Sequence, residues 1–205
     1  MKSFPNSGSR TRQQITREAA RLMAEEGVID HQTAKAKAIE RLGLPENTAR
    51  PDNREIESAL GEYLQLFEAI ELVERCKRWR ETAIEAMRLL RDFNTYLIGP
   101  VLSGTITRFS RVQILVITQP EPVSILLHDN EIPYDQGQRR LRRSTKDYIY
   151  IQTFRFIVDE VNVEILCVES EATSRTLLSP VDGKPFQRAT LREVQQMVGG
   201  AAKAV

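Results

Sequence analysis

The sequence predicts an α+β protein in which an N-terminal helical segment of about four helices packs on a mixed β-sheet core. Two observations carry this. Apolar residues recur at helical spacing as far as about Phe93. Beyond Tyr96 the texture changes to short runs rich in β-branched and aromatic residues. The shift falls near residues 94–98 and gives an expected division into a frayed tail (1–10), a helical domain (11–95) and an α/β domain (96–205) closed by a loop and a helix. A chain of 205 residues is long enough for this without staples.

Each element has its own signal. Ile15, Ala19, Leu22 and Met23 mark a first helix that Gly27 ends. Asp30 caps a second, carrying Ala34, Ala38, Ile39 and Leu42, which Gly43 and Pro45 stop. After the loop NTARPDN, Ile56, Leu60, Leu64 and Phe67 lie on one face of a third helix, and a fourth follows to about Phe93. Strands are expected at 96–102, 112–118, 138–143, 148–158 and 161–168, with a helix over 122–130. Asp159 and Glu160 separate the last two strands as a two-residue hairpin turn would. Leu191, Val194 and Met197 mark a C-terminal helix.

Composition excludes several classes. Apolar residues make up 41% and charged residues 28%, against disorder over the whole chain. Lys plus Arg (29) nearly balances Asp plus Glu (28), so any basic site is local. Two cysteines, Cys76 and Cys167, and two histidines, His31 and His128, lack zinc-ligand spacing. No apolar leader or membrane-length run is visible, so a reduced, cytoplasmic protein is expected.

The most informative stretch is Gly99 to Thr118, GPVLSGTITRFSRVQILVIT. A glycine turn at Gly99 to Gly104 precedes Ser110, then Arg111 and Gln113 at alternate positions leading into an apolar strand. Downstream, VNVEILCV places Glu164 inside another apolar strand. This arrangement resembles the minimal, DNA polymerase beta-type nucleotidyltransferase family. That family's pattern runs Gly-Ser, three residues, Gly, then a loop ending in Ser-Asp-x-Asp, with a third acid on a neighbouring strand. The motifs SGTITRFS, EIPY and SPVDGKP further suggest a group of small bacterial proteins that join a helical segment to a degenerate version of this core.

The resemblance implies a nucleotidyltransferase-like sheet over roughly residues 96 to 168, with Gly99, Ser103, Gly104, Ser110, Arg111, Gln113 and Glu164 as the site. It also implies two-metal chemistry, which needs carboxylates that this chain has exchanged. Arg111 stands at the first Asp, Gln113 at the second, and Pro100 at the serine beside the first glycine. A guanidinium about 4 Å from a divalent cation would repel it by several kcal/mol at an effective dielectric near 20. The expected function is therefore non-catalytic: a degenerate fold retained to bind a nucleotide or other anion, or a protein partner, with no cofactor. The alternative is an active enzyme that transfers a nucleotide to RNA, protein or a small molecule. It would use Mg2+, Glu164 and acids recruited from elsewhere, such as Asp159 or Glu160.

A third expectation rests on the run QRRLRRSTK. Arg139, Arg140, Arg142, Arg143 and Lys146, followed by Tyr148 and Tyr150, form a basic and aromatic patch suited to nucleic acid. In a strand, Arg140 and Arg142 share one face while Arg139 and Arg143 lie on the other. The first two helices also suggest a helix-turn-helix, with Lys35, Lys37 and Arg41 on the second, opposed by Glu25, Glu26 and Glu40.

Overall fold

The computed structural model of the protein describes residues 7–144 and 146–201. It is α+β, with eight helices and a five-stranded mixed sheet among the described residues. The chain falls into two compact units, residues 7–73 with 107–109, and residues 74–106 with 110–201. The change of texture at 94–98 thus lies inside the second unit. Among the described residues no helix is long and apolar enough to cross a membrane.

The first unit is built from α1 (Ser7–Glu25), α2 (His31–Arg41), α3 (Asn53–Phe67) and the start of α4 (Ala69–Leu89). Of the tail expected at 1–10, residues 7–10 already belong to α1, and residues 1–6 lie outside the described residues. Ile15, Ala19, Leu22, Ala34, Ala38, Ile56, Leu60 and Leu64 form one apolar cluster, so the helical periodicity of the sequence becomes a core. Caps fix the helix starts. Asp30 accepts from the Thr33 amide at 2.7 Å, and Asp52 with Glu55 closes a reciprocal capping box on α3. Lys35 is buried, and Arg41 is tied to Glu26 at 2.6 Å and Glu18 at 3.4 Å. Of the three cations, Lys37 and Arg41 reach the surface, Arg41 in ion pairs with Glu18 and Glu26 that offset its charge.

The second unit holds the sheet. Its strands are β1 (Asn94–Ile98), β2 (Val112–Ile117), β3 (Asp135–Arg142), β4 (Tyr148–Val158) and β5 (Val161–Val168), in the spatial order β1-β2-β5-β4-β3. Only β2 and β5 run parallel; the other neighbours are antiparallel. Asp159 and Glu160 form the β4 to β5 turn with φ of 46° and 67°, a two-residue hairpin as the sequence indicates. The strand expected at 96–102 instead runs 94–98. Gly99 (φ 74°) turns the chain, and Pro100, which has no N–H to give a ladder, opens the short helix α5 (Pro100–Ser103). The helix expected from 122 starts at Pro120, as α6 (Pro120–Asp129). β3 starts at Asp135, earlier than 138, because pairing with β4 recruits polar residues that have no strand signal of their own.

Alternation divides the sheet into two faces. On one face Ile98, Leu115, Leu141, Ile151, Leu166 and Val168 pack with Leu177 and the partly buried Tyr96, Ile149 and Phe186. Leu177 and Phe186 flank the SPVDGKP turn, whose ends are drawn together by the Leu178 and Pro185 bridge. The opposite face carries Ile114, Val116, Phe154, Val163, Ile165 and Cys167, all buried. α7 (Glu171–Thr176) and α8 (Leu191–Ala201) complete the unit.

Candidate functional site

The first face of the sheet is apolar at one end and polar at the other, and the change falls across three adjacent strands. Moving two residues back along β5 from Leu166 reaches Glu164. In register, its neighbour on β2 is Gln113 and its neighbour on β4 is Arg155. The parallel pairing of β2 with β5 therefore brings Gln113 to Glu164, although 51 positions separate them in sequence.

Glu164 is the centre of the site. Its side chain is 2% exposed, a cost that an ionised carboxylate tolerates only when it is paired. Arg139 donates from Nη1 to Oε2 at 2.8 Å, and Arg155 donates from Nε to Oε1 at 3.0 Å. Arg111 Nη1 stands 3.9 Å from Oε1, too far for a good hydrogen bond. The three guanidiniums remain partly open to solvent, at 26% for Arg139, 41% for Arg155 and 35% for Arg111. Three fixed positive charges around one carboxylate leave these four groups with a net charge of +2, and Asp135, in register opposite Arg155 on the same face, lowers the sum at this end of the sheet to +1.

Gly137 on β3 lies opposite Thr153 on β4. A Cβ on Gly137 would sit 3.5 Å from Thr153 Oγ1 and 3.6 Å from Arg155 Nη2, in ordinary van der Waals contact with both. Thr153 is fully buried and its hydroxyl has no hydrogen-bond partner.

Gly99 touches the site through Gln113 alone. Its φ of 74° and ψ of −154° belong to glycine, and a Cβ there would lie 2.5 Å from Gln113 Oε1. The amide side chain thus occupies the space beside the glycine turn. Ser103 and Gly104 belong to the other end of α5. Ser103 Oγ donates to the Pro100 carbonyl at 3.3 Å, and the Gly104 carbonyl accepts from Cys76 Sγ at 3.7 Å. The Ser110 carbonyl accepts from Trp79 Nε1 at 3.4 Å. Of the seven residues expected from sequence, Arg111, Gln113 and Glu164 converge, Gly99 adjoins them, and Ser103, Gly104 and Ser110 serve neighbouring backbone.

The acids considered for an active enzyme do not join this cluster. Asp159 and Glu160 occupy the β4 to β5 turn, where the Arg78 guanidinium bonds the Asp159 carbonyl and lies 3.5 Å from Glu160. Four residue steps separate Glu160 from Glu164, about 13 Å along the strand. Among the described residues no group of three His, Cys, Asp or Glu side chains could hold a metal ion. One carboxylate already claimed by guanidiniums is a poor donor set for magnesium, which favours hard anionic oxygens. The ion that the family resemblance implies does not fit these residues.

The basic run does not act as one patch. Arg139 leaves it for Glu164, and Arg143 pairs with Asp147 at 2.7 Å. Arg140 lies over the Tyr148 ring at 3.8 Å, Arg142 Nε donates to the Ser144 carbonyl at 3.1 Å, and Lys146 is exposed in the turn. Sequence reading missed Arg155 and Thr153 entirely. The available signal was an arginine inside the otherwise apolar run YIYIQTFRFIV, on the strand expected to pair with that of Glu164. Away from this cluster, Leu102, Arg188, Ala189, Glu193 and Met197 line an open groove between α5 and α8. Compared with known proteins, the chain matches no family model and no curated protein.

Proposed function

We propose that this chain is a non-catalytic, nucleotidyltransferase-like module that binds an anion, with a phosphate group as the ligand that fits best. The observation that carries the reading is the convergence of Arg111, Arg139 and Arg155 on the buried Glu164. Glu164 holds two guanidiniums in place, and their remaining N–H groups, together with Arg111, face outward as donors. Arginine presents planar, paired donors that match phosphate oxygens, and the excess of positive charge around Glu164 complements a phosphate monoester, which carries about −1.5 to −2 at neutral pH.

The nucleotidyltransferase assignment draws on the order β1-β2-β5 and on a glycine that only glycine can replace at the end of β1. It also draws on the register that sets Gln113 beside Glu164, the two positions where such a core carries acids. In this reading the fixed cations replace the metal ions, so anion binding persists while phosphoryl chemistry lapses.

Titration calorimetry with inorganic phosphate and a nucleoside triphosphate, each in EDTA and in magnesium, tests the reading. Binding is expected in EDTA and is expected to weaken about tenfold in Arg111→Ala, the loss of one charge-assisted contact. Binding that requires magnesium, or no phosphate binding at all, would contradict it.

A further inference from the structure

The opposite face of the β3 and β4 ribbon carries a different constellation. Along β3 that face presents Gln136, Gln138, Arg140 and Arg142, and along β4 it presents Tyr148, Tyr150 and Gln152 before the buried Phe154. In register, Arg140 lies opposite Tyr150 and Arg142 opposite Tyr148. No carboxylate occurs on this face of either strand. Tyr150 is 68% exposed and Tyr148 42%, an unusual placement for two aromatic rings in one strand unless something covers them.

The ribbon is held firmly from behind. Leu141, Ile149 and Ile151 anchor its other face in the apolar cluster with Leu177, and the Leu178 amide donates to the Arg142 carbonyl at 2.8 Å. The exposed face is therefore a fixed surface. The Arg140 guanidinium lies 3.8 Å from the Tyr148 ring centre, which leaves its outer plane as a second flat cation beside the bare Tyr150 ring.

We propose that this face is a binding platform for single-stranded nucleic acid. Flat π surfaces flanked by arginines suit the stacking of bases and the pairing of phosphates, and the absence of acids gives the charge complementarity. Spacing favours a single strand. Same-face side chains on one strand stand about 6.6 Å apart, twice the 3.4 Å rise of stacked bases in a duplex, so the platform takes bases that have been splayed apart. Gln138 and Gln152 flank the rings and supply amides to base edges. The inference is independent of the phosphate site around Glu164, which lies on the other face.

Fluorescence anisotropy with labelled 12-nucleotide RNA and DNA single strands, and with the matching duplex as competitor, tests the proposal on the full chain. Both single strands are expected to bind comparably and the duplex more weakly. Tyr150→Ala should lower affinity about tenfold, while Tyr150→Phe, which keeps the ring, should retain it. Arg140→Ala with Arg142→Ala should reduce the slope of log affinity against log salt by about 1.4. Arg17→Ala, which removes an exposed charge on α1, should change neither. Absence of binding, equal or tighter binding of the duplex, an unaffected Tyr150→Ala variant, or an Arg17→Ala loss as large as the ribbon variants would each overturn the proposal.

Discussion

Replacing Glu164 by glutamine should move stability and anion binding in opposite directions. The substitution keeps the shape and removes the one negative charge among three guanidiniums. Two charge-assisted hydrogen bonds, from Arg139 at 2.8 Å and Arg155 at 3.0 Å, lose their ionic character. Each such bond contributes about 1.5–3 kcal/mol when shielded, and partial exposure of both guanidiniums reduces this by roughly half. The second unit should therefore lose about 2 kcal/mol. With a urea dependence of about 2 kcal/mol/M, the unfolding midpoint followed by circular dichroism should fall by about 1 M. For a bound phosphate dianion about 5 Å away, removal of a unit negative charge is worth about 1.7 kcal/mol even at the dielectric of water. Allowing for screening at 0.1 M salt, phosphate affinity should rise at least about fivefold in the less stable variant. Weaker phosphate binding in Glu164→Gln would refute the reasoning, since that is the behaviour of a metal ligand and not of a counter-ion.

The remaining expectations concern the turn, a buried thiol and the acid limb. Gly99→Ala combines a positive φ with a Cβ 2.5 Å from Gln113 Oε1, the free end of a flexible side chain, and should cost about 1–3 kcal/mol in chemical denaturation, most of it backbone strain; adding Gln113→Ala should relieve the clash but not that strain. Burial pushes the Cys167 thiol up to about 12, so its protonated form is favoured by folding. The thiol's contribution to stability should be constant below its unfolded value near 8.5 and be lost towards pH 12 by up to about 1.4 kcal/mol per pH unit, a component of the alkaline slope that Cys167→Ala should remove. In the first unit, hydrogen bonds from Arg21, Tyr63, Arg41 and Arg12 hold Glu18, Glu25, Glu26 and Glu55 respectively below the usual carboxylate range. Their stabilisation is present above about pH 4.5 and should be lost as pH falls further, seen as a helical signal that melts on acid titration.

Much of the architecture was legible in the sequence because local chemistry dictates it. Asp30 and Asp52 are good caps whose geometry the structure reproduces; the alternation of Tyr148 to Val158 and the near-continuous apolar run Val161 to Val168 give both strands to the residue. Asp159 with Glu160 tolerates the left-handed turn between them. The short helix after Gly99 was not legible, since Val101 and Leu102 read equally well as strand, and only the missing Pro100 N–H tips the balance. Glu164 was recognised through its isolation in an apolar run, and Arg111 and Gln113 through their position after a glycine turn. Arg155 escaped notice because its role depends on register: nothing local says that it lies opposite Glu164. Arg139 was grouped with its sequence neighbours, whereas alternation sends it to the other face, where it meets Glu164.

In the proposed reading, fixed arginines stand where nucleotidyltransferases hold metal ions. Crystals soaked separately in tungstate and in manganese, followed by anomalous scattering, test it most directly. Tungstate is expected among Arg111, Arg139 and Arg155, with no manganese peak beside Glu164. A manganese ion seated between Gln113 and Glu164 would contradict the account.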